Sequence, residues 1–212
     1  MNIQRGNKGI EWCDATWNPI TGCLHDCWYC YAQKIALRFQ GHYQPTIHYD
    51  RLKEKMPKKS SKIFVGSMAD MFGDWVDPVW IKWVLEIVKK NPQHTFQFLT
   101  KNPKRYSEFE FPKNCWLGLT LDKPSGRKLF ILKQQPNYTF ISFEPLCDDM
   151  SDINLKGIDW VIIGAMTGMG KRNIIPKKEW IEYLIKEAEK YNIPVFIKDN
   201  VKWSKKIQKF PE

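Results

Sequence analysis

At 212 residues, 43% hydrophobic and 14% aromatic, the chain is long enough to bury one sizeable core. It is shorter than a complete eight-fold β/α barrel, which takes about 250 residues. No apolar run reaches the roughly 18 residues of a membrane span, and the first residues lack the apolar core of a signal peptide, so one cytoplasmic domain over residues 1–212, with no membrane partner, is expected. Lysine and arginine outnumber aspartate and glutamate by 33 to 23, a net charge of +10 that favours an anionic partner such as nucleic acid and equally fits a solvated lysine-rich surface.

In chain order, residues 17–21 read as a short strand, and Gly22 lets the backbone turn into Cys23-Leu24-His25-Asp26-Cys27-Trp28-Tyr29-Cys30. Residues 31–40 carry helix formers with Ile35, Ala36 and Phe39 as the apolar face, and Gly41 stops the helix. From residue 62 onward, apolar runs at 62–66, 95–99, 116–121, 138–143, 160–163 and 195–197 alternate with helical patterns, the signature of β/α units around a parallel sheet covered on both faces. The helices fall at 78–90, with Trp80, Val84, Ile87 and Val88 inward, and at 180–191, with Trp180, Tyr183, Leu184 and Ala188 inward. Shorter helices are expected at 103–109 and 127–135. The predicted fold class is therefore α/β, a single-domain partial (β/α) barrel of six to seven parallel strands.

Three of the six cysteines fall within eight residues, spaced Cys-x3-Cys-x2-Cys at Cys23, Cys27 and Cys30. Soft thiolates clustered in this way suit zinc or an iron-sulfur cluster. They are one ligand short: either Cys13 or His25 closes a zinc site, or one metal position stays open for a substrate or cofactor. In a reducing compartment the remaining cysteines, Cys13, Cys115 and Cys147, read as buried small hydrophobes rather than disulfide partners. In parallel β/α folds ligands gather where strands end. Those ends here carry Gly66-Ser67-Met68-Ala69-Asp70, Thr100-Lys101-Asn102, Thr120-Leu121-Asp122, Ser142-Phe143-Glu144-Pro145, Gly164-Ala165-Met166-Thr167-Gly168-Met169-Gly170 and Lys198-Asp199-Asn200. For any one of these, turn chemistry is an alternative. The glycine-rich segment from Gly164 lacks the lysine and hydroxyl pairing of a Walker loop and reads as a close backbone approach.

The match at Cys23, Cys27, Tyr29 and Cys30, an aromatic residue preceding the last cysteine, resembles the radical S-adenosylmethionine (radical SAM) superfamily. More narrowly, Glu11-Trp12 with Trp17-Asn18-Pro19, Gly66-Ser67-Met68-Ala69-Asp70-Met71-Phe72, Leu99-Thr100-Lys101, Ser142-Phe143-Glu144-Pro145-Leu146 and Asp159-Trp160-Val161-Ile162-Ile163-Gly164 resemble a phage- and prokaryote-borne group of small three-cysteine radical-SAM-like proteins. The resemblance implies a 4Fe-4S cluster on the three cysteines, with S-adenosylmethionine as its fourth ligand. It also implies reductive cleavage to methionine and a 5'-deoxyadenosyl radical that abstracts hydrogen from substrate. By position, Tyr29 would lie near the adenine, and Gly66, Ser67 and Asp70 near the methionine amino group. Thr100, Lys101, Ser142 and Glu144 would contact ribose and carboxylate, and Gly164 would approach the adenine. Lys198 and Asn200 are the candidate substrate contacts. This chain departs from the group at Met166, where relatives carry the glutamate of Gly-Gly-Glu-Ser, and at Cys13, where threonine is expected.

The resemblance further implies a low-potential electron donor of the flavodoxin or ferredoxin type. Together with the charge it favours a nucleic acid or nucleotide substrate, with a partner protein as a further way to cover the radical. The alternative from a different class is a zinc-stabilised, basic nucleic-acid-binding module without redox chemistry.

Overall fold

Short apolar runs bounded by turn residues fold as strands, and the amphipathic runs between them fold as helices. The computed structural model describes residues 1–4, 9–166 and 174–211, so the glycine-rich segment lies outside the described residues from Thr167 to Gly170. The chain divides into two compact units, Met1–Leu117 and Gly118–Glu212.

The first unit contains β1 (Asn2–Ile3), β2 (Ala15–Trp17), β3 (Ile20–Thr21), α1 (Tyr31–Gln40), β4 (Thr46–Ile47), β5 (Lys62–Val65), α2 (Pro78–Lys89) and β6 (Thr95–Thr100). The division falls within β7 (Cys115–Thr120). The second unit continues with α3 (Gly126–Leu132), β8 (Tyr138–Phe143), β9 (Trp160–Ile163), α4 (Lys178–Glu189) and β10 (Val195–Ile197). Among the described residues, eight strands form one sheet in the order β1-β2-β5-β6-β7-β8-β9-β10, and β3 pairs with β4 in a separate antiparallel ribbon. β1 is antiparallel to β2, whereas β2-β5, β5-β6, β8-β9 and β9-β10 are parallel. From β2 onward the sheet follows sequence order, the winding of a β/α barrel rather than of a doubly wound sheet, whose order reverses at a switch point.

In the first unit, Phe72 packs against Phe98, Tyr106, Phe109 and Phe111 at ring separations of 4.7 to 6.1 Å. Each fully buried aromatic contributes roughly 1.5–3 kcal/mol relative to exposure. In the second unit, Trp160 packs against Phe140, Phe196 and Phe210 and donates its indole N–H to the Lys209 carbonyl at 2.9 Å. Cys13 and Cys115 are buried, as expected of small hydrophobes, and Cys147 is half-buried.

Several elements differ from expectation. The strand expected over 17–21 is two elements, because Pro19 between them has no N–H to give a ladder. The segment expected as a helix at 103–109 is a 3-10 helix, Pro103–Glu108. α2 buries Ile81, Val84, Leu85 and Val88, a face turned by about one residue from the expected stripe. α4 buries Ile181, Leu184 and Ala188, leaving Trp180 at the border, where Lys177 covers its ring.

The largest departure is α1. Only Ala32 and Ala36 are buried, while Ile35 is 44% and Phe39 75% exposed. The periodicity gives a helix, but the side that packs is the narrow alanine side, and Ala36 with Gln40 lines a cavity of about 340 Å³ shared with Thr16, Asn18, Thr21 and Met68.

Candidate functional site

Within the first unit, the chemical groups collect at the carboxyl end of β2, β5 and β6. Gly22 begins the cysteine loop at φ 89°, where its amide donates to the Met68 carbonyl at 2.9 Å. A Cβ there would lie 2.1 Å from the Gln44 carbonyl oxygen, so both conformation and space require glycine. Asn18, just past β2, ties the loop after β5 in place: its Oδ1 accepts from the Ser67 hydroxyl at 3.1 Å and the Met68 amide at 3.0 Å. The Tyr31 hydroxyl donates to the Ser67 carbonyl at 2.7 Å, which fixes α1 against the same loop.

Cys30 is the N-cap of α1, and its sulfur accepts from the Gln33 amide at 3.3 Å. The sulfur thereby satisfies one of the backbone amides that the first turn of a helix leaves without an intrahelical acceptor. Lys101, directly after β6, places Nζ 3.2 Å from the Cys27 sulfur, hydrogen-bonded to the Tyr29 hydroxyl, and lies over the Tyr29 ring at 4.9 Å. Cys23 is more enclosed, and burial pushes its thiol up to about 12. Burial, and next the neighbouring Cys30, hold the Tyr43 phenol above its ordinary value.

Asp70 anchors the arrangement. Its Oδ1 accepts from the Phe72 amide at 3.0 Å and the Thr100 hydroxyl at 2.7 Å, and its Oδ2 accepts from the Lys101 amide at 2.9 Å and bonds His25 Nε2 at 2.7 Å. These four contacts use the acceptor directions of a carboxylate. Asp70 thus connects the cysteine loop, through His25, to the end of β6. Gly66, at φ 83°, turns the chain from β5 towards it.

In the second unit, a separate group forms at the ends of β8, β9 and β10. The Ser142 hydroxyl donates to Glu144 Oε2 at 2.9 Å, and Lys198 Nζ pairs with Glu144 Oε1 at 2.8 Å. A Cβ on Gly164 would fall 2.7 Å from Glu144 Oε1, so glycine there leaves room for the carboxylate. Asn200 exchanges two hydrogen bonds with the Ala165 backbone, at 3.1 and 2.9 Å.

The structure therefore brings Cys23, Cys27, Cys30, Tyr29, Gly66, Ser67, Asp70, Thr100 and Lys101 together at one edge of the first unit. It brings Ser142, Glu144, Gly164 and Lys198 together in the second, with Asn200 bracing the backbone next to Gly164. Sequence reasoning did not single out Asn18 or Tyr43. Asn18 lay in a motif read only as a family mark, and Tyr43 reaches the loop from beyond α1.

Among the described residues, no three His, Cys, Asp or Glu side chains converge closely enough to hold a single metal ion. Cys13 lies at the other edge of the sheet, before β2, where its neighbour Asp14 binds the start of β5 through Lys62. His25 is engaged by Asp70. Both fourth ligands considered for zinc are thus placed in other interactions. An iron-sulfur cluster takes one thiolate per iron and needs no such convergence. Among the described residues, no helix is long and apolar enough to cross a membrane.

Solved structures of spore photoproduct lyase share this fold. A cysteine-to-alanine mutant with dinucleoside spore photoproduct matches with a TM-score of 0.63 and 12% identity, over 93% of this chain and 80% of that one. The lyase complexed with the same dinucleoside gives 0.62 and 12%, over 92% and 80%. A double mutant with bound AdoMet and the dinucleoside gives 0.60 and 11%, over 93% and 80%. The chain thus shares the partial (β/α) barrel fold of spore photoproduct lyase. Among curated proteins, none matches the chain by sequence. The chain belongs to DUF5131, a family described as protein of unknown function, whose model matches residues 7–210.

Proposed function

We propose that the chain is a radical SAM enzyme in which Cys23, Cys27 and Cys30 hold a 4Fe-4S cluster, and that its substrate is a nucleic acid or nucleotide. The observation that carries the reading is the cysteine loop itself, set at the carboxyl end of the strands with Lys101 Nζ 3.2 Å from the Cys27 sulfur and Cys30 capping α1. This donor set suits a thiolate-bound group of negative charge, because an ammonium and a helix N-terminus face it. When bound, the cluster and S-adenosylmethionine supply reductive carbon–sulfur cleavage and hydrogen abstraction from substrate.

The chain's own residues bind, orient and enclose. Asp70 fixes the loop through His25, and the same carboxylate orders Thr100 and Lys101. Ser67 is held by Asn18 and Tyr31, so the backbone after β5 is presented in one conformation. Tyr29 sits beside Lys101, where the resemblance assigns it to the adenine. In the second unit, the resemblance assigns Ser142, Glu144 and Gly164 to the cofactor and Lys198 and Asn200 to the substrate. The net charge of +10 supports an anionic substrate. The dinucleosides held by the spore photoproduct lyases that share the fold support a substrate built from nucleosides.

Anaerobic reconstitution should give about four iron and four sulfide per chain. With dithionite and S-adenosylmethionine it should give 5'-deoxyadenosine, and Cys27→Ala should remove both. Protein that binds neither iron nor S-adenosylmethionine would refute the reading. Substrate class is tested by equilibrium binding of a single-stranded oligonucleotide and of mononucleotides across a salt series, where an oligonucleotide held through phosphates loses affinity steeply with salt.

A further inference from the structure

The exposed side of α1 is not that of an ordinary surface helix. Tyr31, Ile35 and Phe39 recur every four residues and form a continuous apolar stripe, with Ile35 44% and Phe39 75% exposed. The stripe begins at the cysteine loop, whose outward residues Leu24 and Trp28 are 49% and 58% exposed. Cys30 is the residue that caps the helix, so apolar surface runs from a cluster ligand along about 12 Å of helix. Contiguous exposed apolar surface of this kind marks a contact site rather than chance exposure.

Charge identifies the occupant. Lys34 and Arg38 border the stripe one helical step away, both are exposed, and α1 contains no acidic residue. Asp26, at the tip of the loop, is within 3.5 Å of the Gln33 amide nitrogen. The complementary face is apolar at its centre and acidic at its rim. A polynucleotide is also anionic, but stacking requires open ring faces. Here the Arg38 guanidinium covers the Phe39 ring at 5.5 Å, the Tyr31 hydroxyl is tied to Ser67, and Ile35 and Leu24 offer no ring, which leaves Trp28 as a single exposed ring rather than a platform for successive bases.

We infer that this stripe, with the outward tip of the cysteine loop, is the docking surface for an acidic one-electron donor protein. The inference rests on the proposed radical SAM reading, which requires electrons from outside the chain. A donor seated here lies against the loop that holds the cluster, the shortest route through protein to the thiolates.

The test uses reconstituted wild-type protein and two double variants, Lys34→Glu with Arg38→Glu and Ile35→Ser with Phe39→Ser, all at exposed positions outside the cofactor set. Cluster bleaching is followed by stopped flow with two reductants, dithionite and reduced flavodoxin. Flavodoxin reduction is expected to slow about tenfold or more in each variant, and more steeply with salt in wild type than in the charge variant. Dithionite reduction and 5'-deoxyadenosine formation with dithionite stay unchanged. Equal flavodoxin rates in all three proteins overturn the docking surface, as does a parallel loss of dithionite reduction in the variants. So does a wild-type dimer in sedimentation that the apolar variant dissolves, which assigns the stripe to a second copy. Loss of oligonucleotide binding in the variants with flavodoxin rates intact assigns it to nucleic acid. If wild type holds no cluster or forms no 5'-deoxyadenosine with dithionite, it is the radical SAM reading that fails, a result separate from all of these.

Discussion

Lys101→Met removes the ammonium beside Cys27 while keeping most of the side chain's length. Unit charges at the observed 3.2 Å interact by about 5 kcal/mol at an effective dielectric of about 20. That attraction favours the thiolate in either oxidation state, so most of it cancels in a potential. The electron added on reduction spreads over the cluster, and at about 6–8 Å from Nζ the same expression gives roughly 2–3 kcal/mol. Lys101 is half-buried, and solvent screening reduces this to about 1.5–2.5 kcal/mol. With 1.4 kcal/mol equivalent to about 59 mV for a one-electron couple, the potential should fall by about 60–105 mV. Lys101→Arg keeps the charge and should shift it by less than half as much. The assay is a redox titration of reconstituted protein followed by electron paramagnetic resonance, with iron content measured alongside. A potential in the Met variant within about 20 mV of wild type, at full iron loading, would show that the ammonium does not face the cluster.

Asp70→Asn places an amide among donors that need acceptors and should lower stability by about 2–4 kcal/mol in urea unfolding, a loss below about 0.5 kcal/mol being incompatible with the network described. Burial pushes the Cys115 thiol up to about 12 from an ordinary 9.0, so between those values the folded chain keeps a proton that the unfolded chain has released. Stability should therefore fall as pH rises from about 9 to 12, by up to about 1.4 kcal/mol per unit from this group. Cys115→Ala should flatten that part of the urea-midpoint curve, and an unchanged slope would contradict the assignment. Gly164→Ala puts a methyl group 2.7 Å from Glu144 Oε1 and should weaken S-adenosylmethionine binding, measured by equilibrium dialysis, about tenfold or more. The melting temperature should change little, because overpacking here displaces one side chain rather than the core.

The strands from residue 62 onward were legible because each is a short apolar run closed by turn residues, and strand ends in β/α folds collect chemistry whatever the family. The cysteine spacing was legible for the same local reason. What failed was facing and pairing. The periodicity of α1 is compatible with burial on either flank, and which flank packs, that of Ala32 and Ala36, is decided by segments distant in sequence. The β3-β4 ribbon joins Thr21 to Thr46, across α1, and although residues 17–21 read as a strand, β4 has no local signal. His25 was noticed as a candidate metal ligand because of its neighbours in sequence, whereas its partner Asp70 is 45 residues away. Glu144 and Lys198 were each marked as strand-end residues, but their pairing depends on β8 and β10 flanking β9.

The departure from the family pattern at Met166 acquires a physical reading from that pair. The resemblance leads to the expectation of a glutamate two residues after Gly164, the residue that follows β9, and this chain carries methionine there. Its Glu144 carboxylate instead lies against Gly164, close enough that any side chain there would meet it, with Ser142 and Lys198 each holding one oxygen. An acid is thus present at the end of β9 although β9 does not supply one. The Lys198 ammonium lies 2.8 Å from one of its oxygens, so a charged pair from β8 and β10 flanks the end of β9.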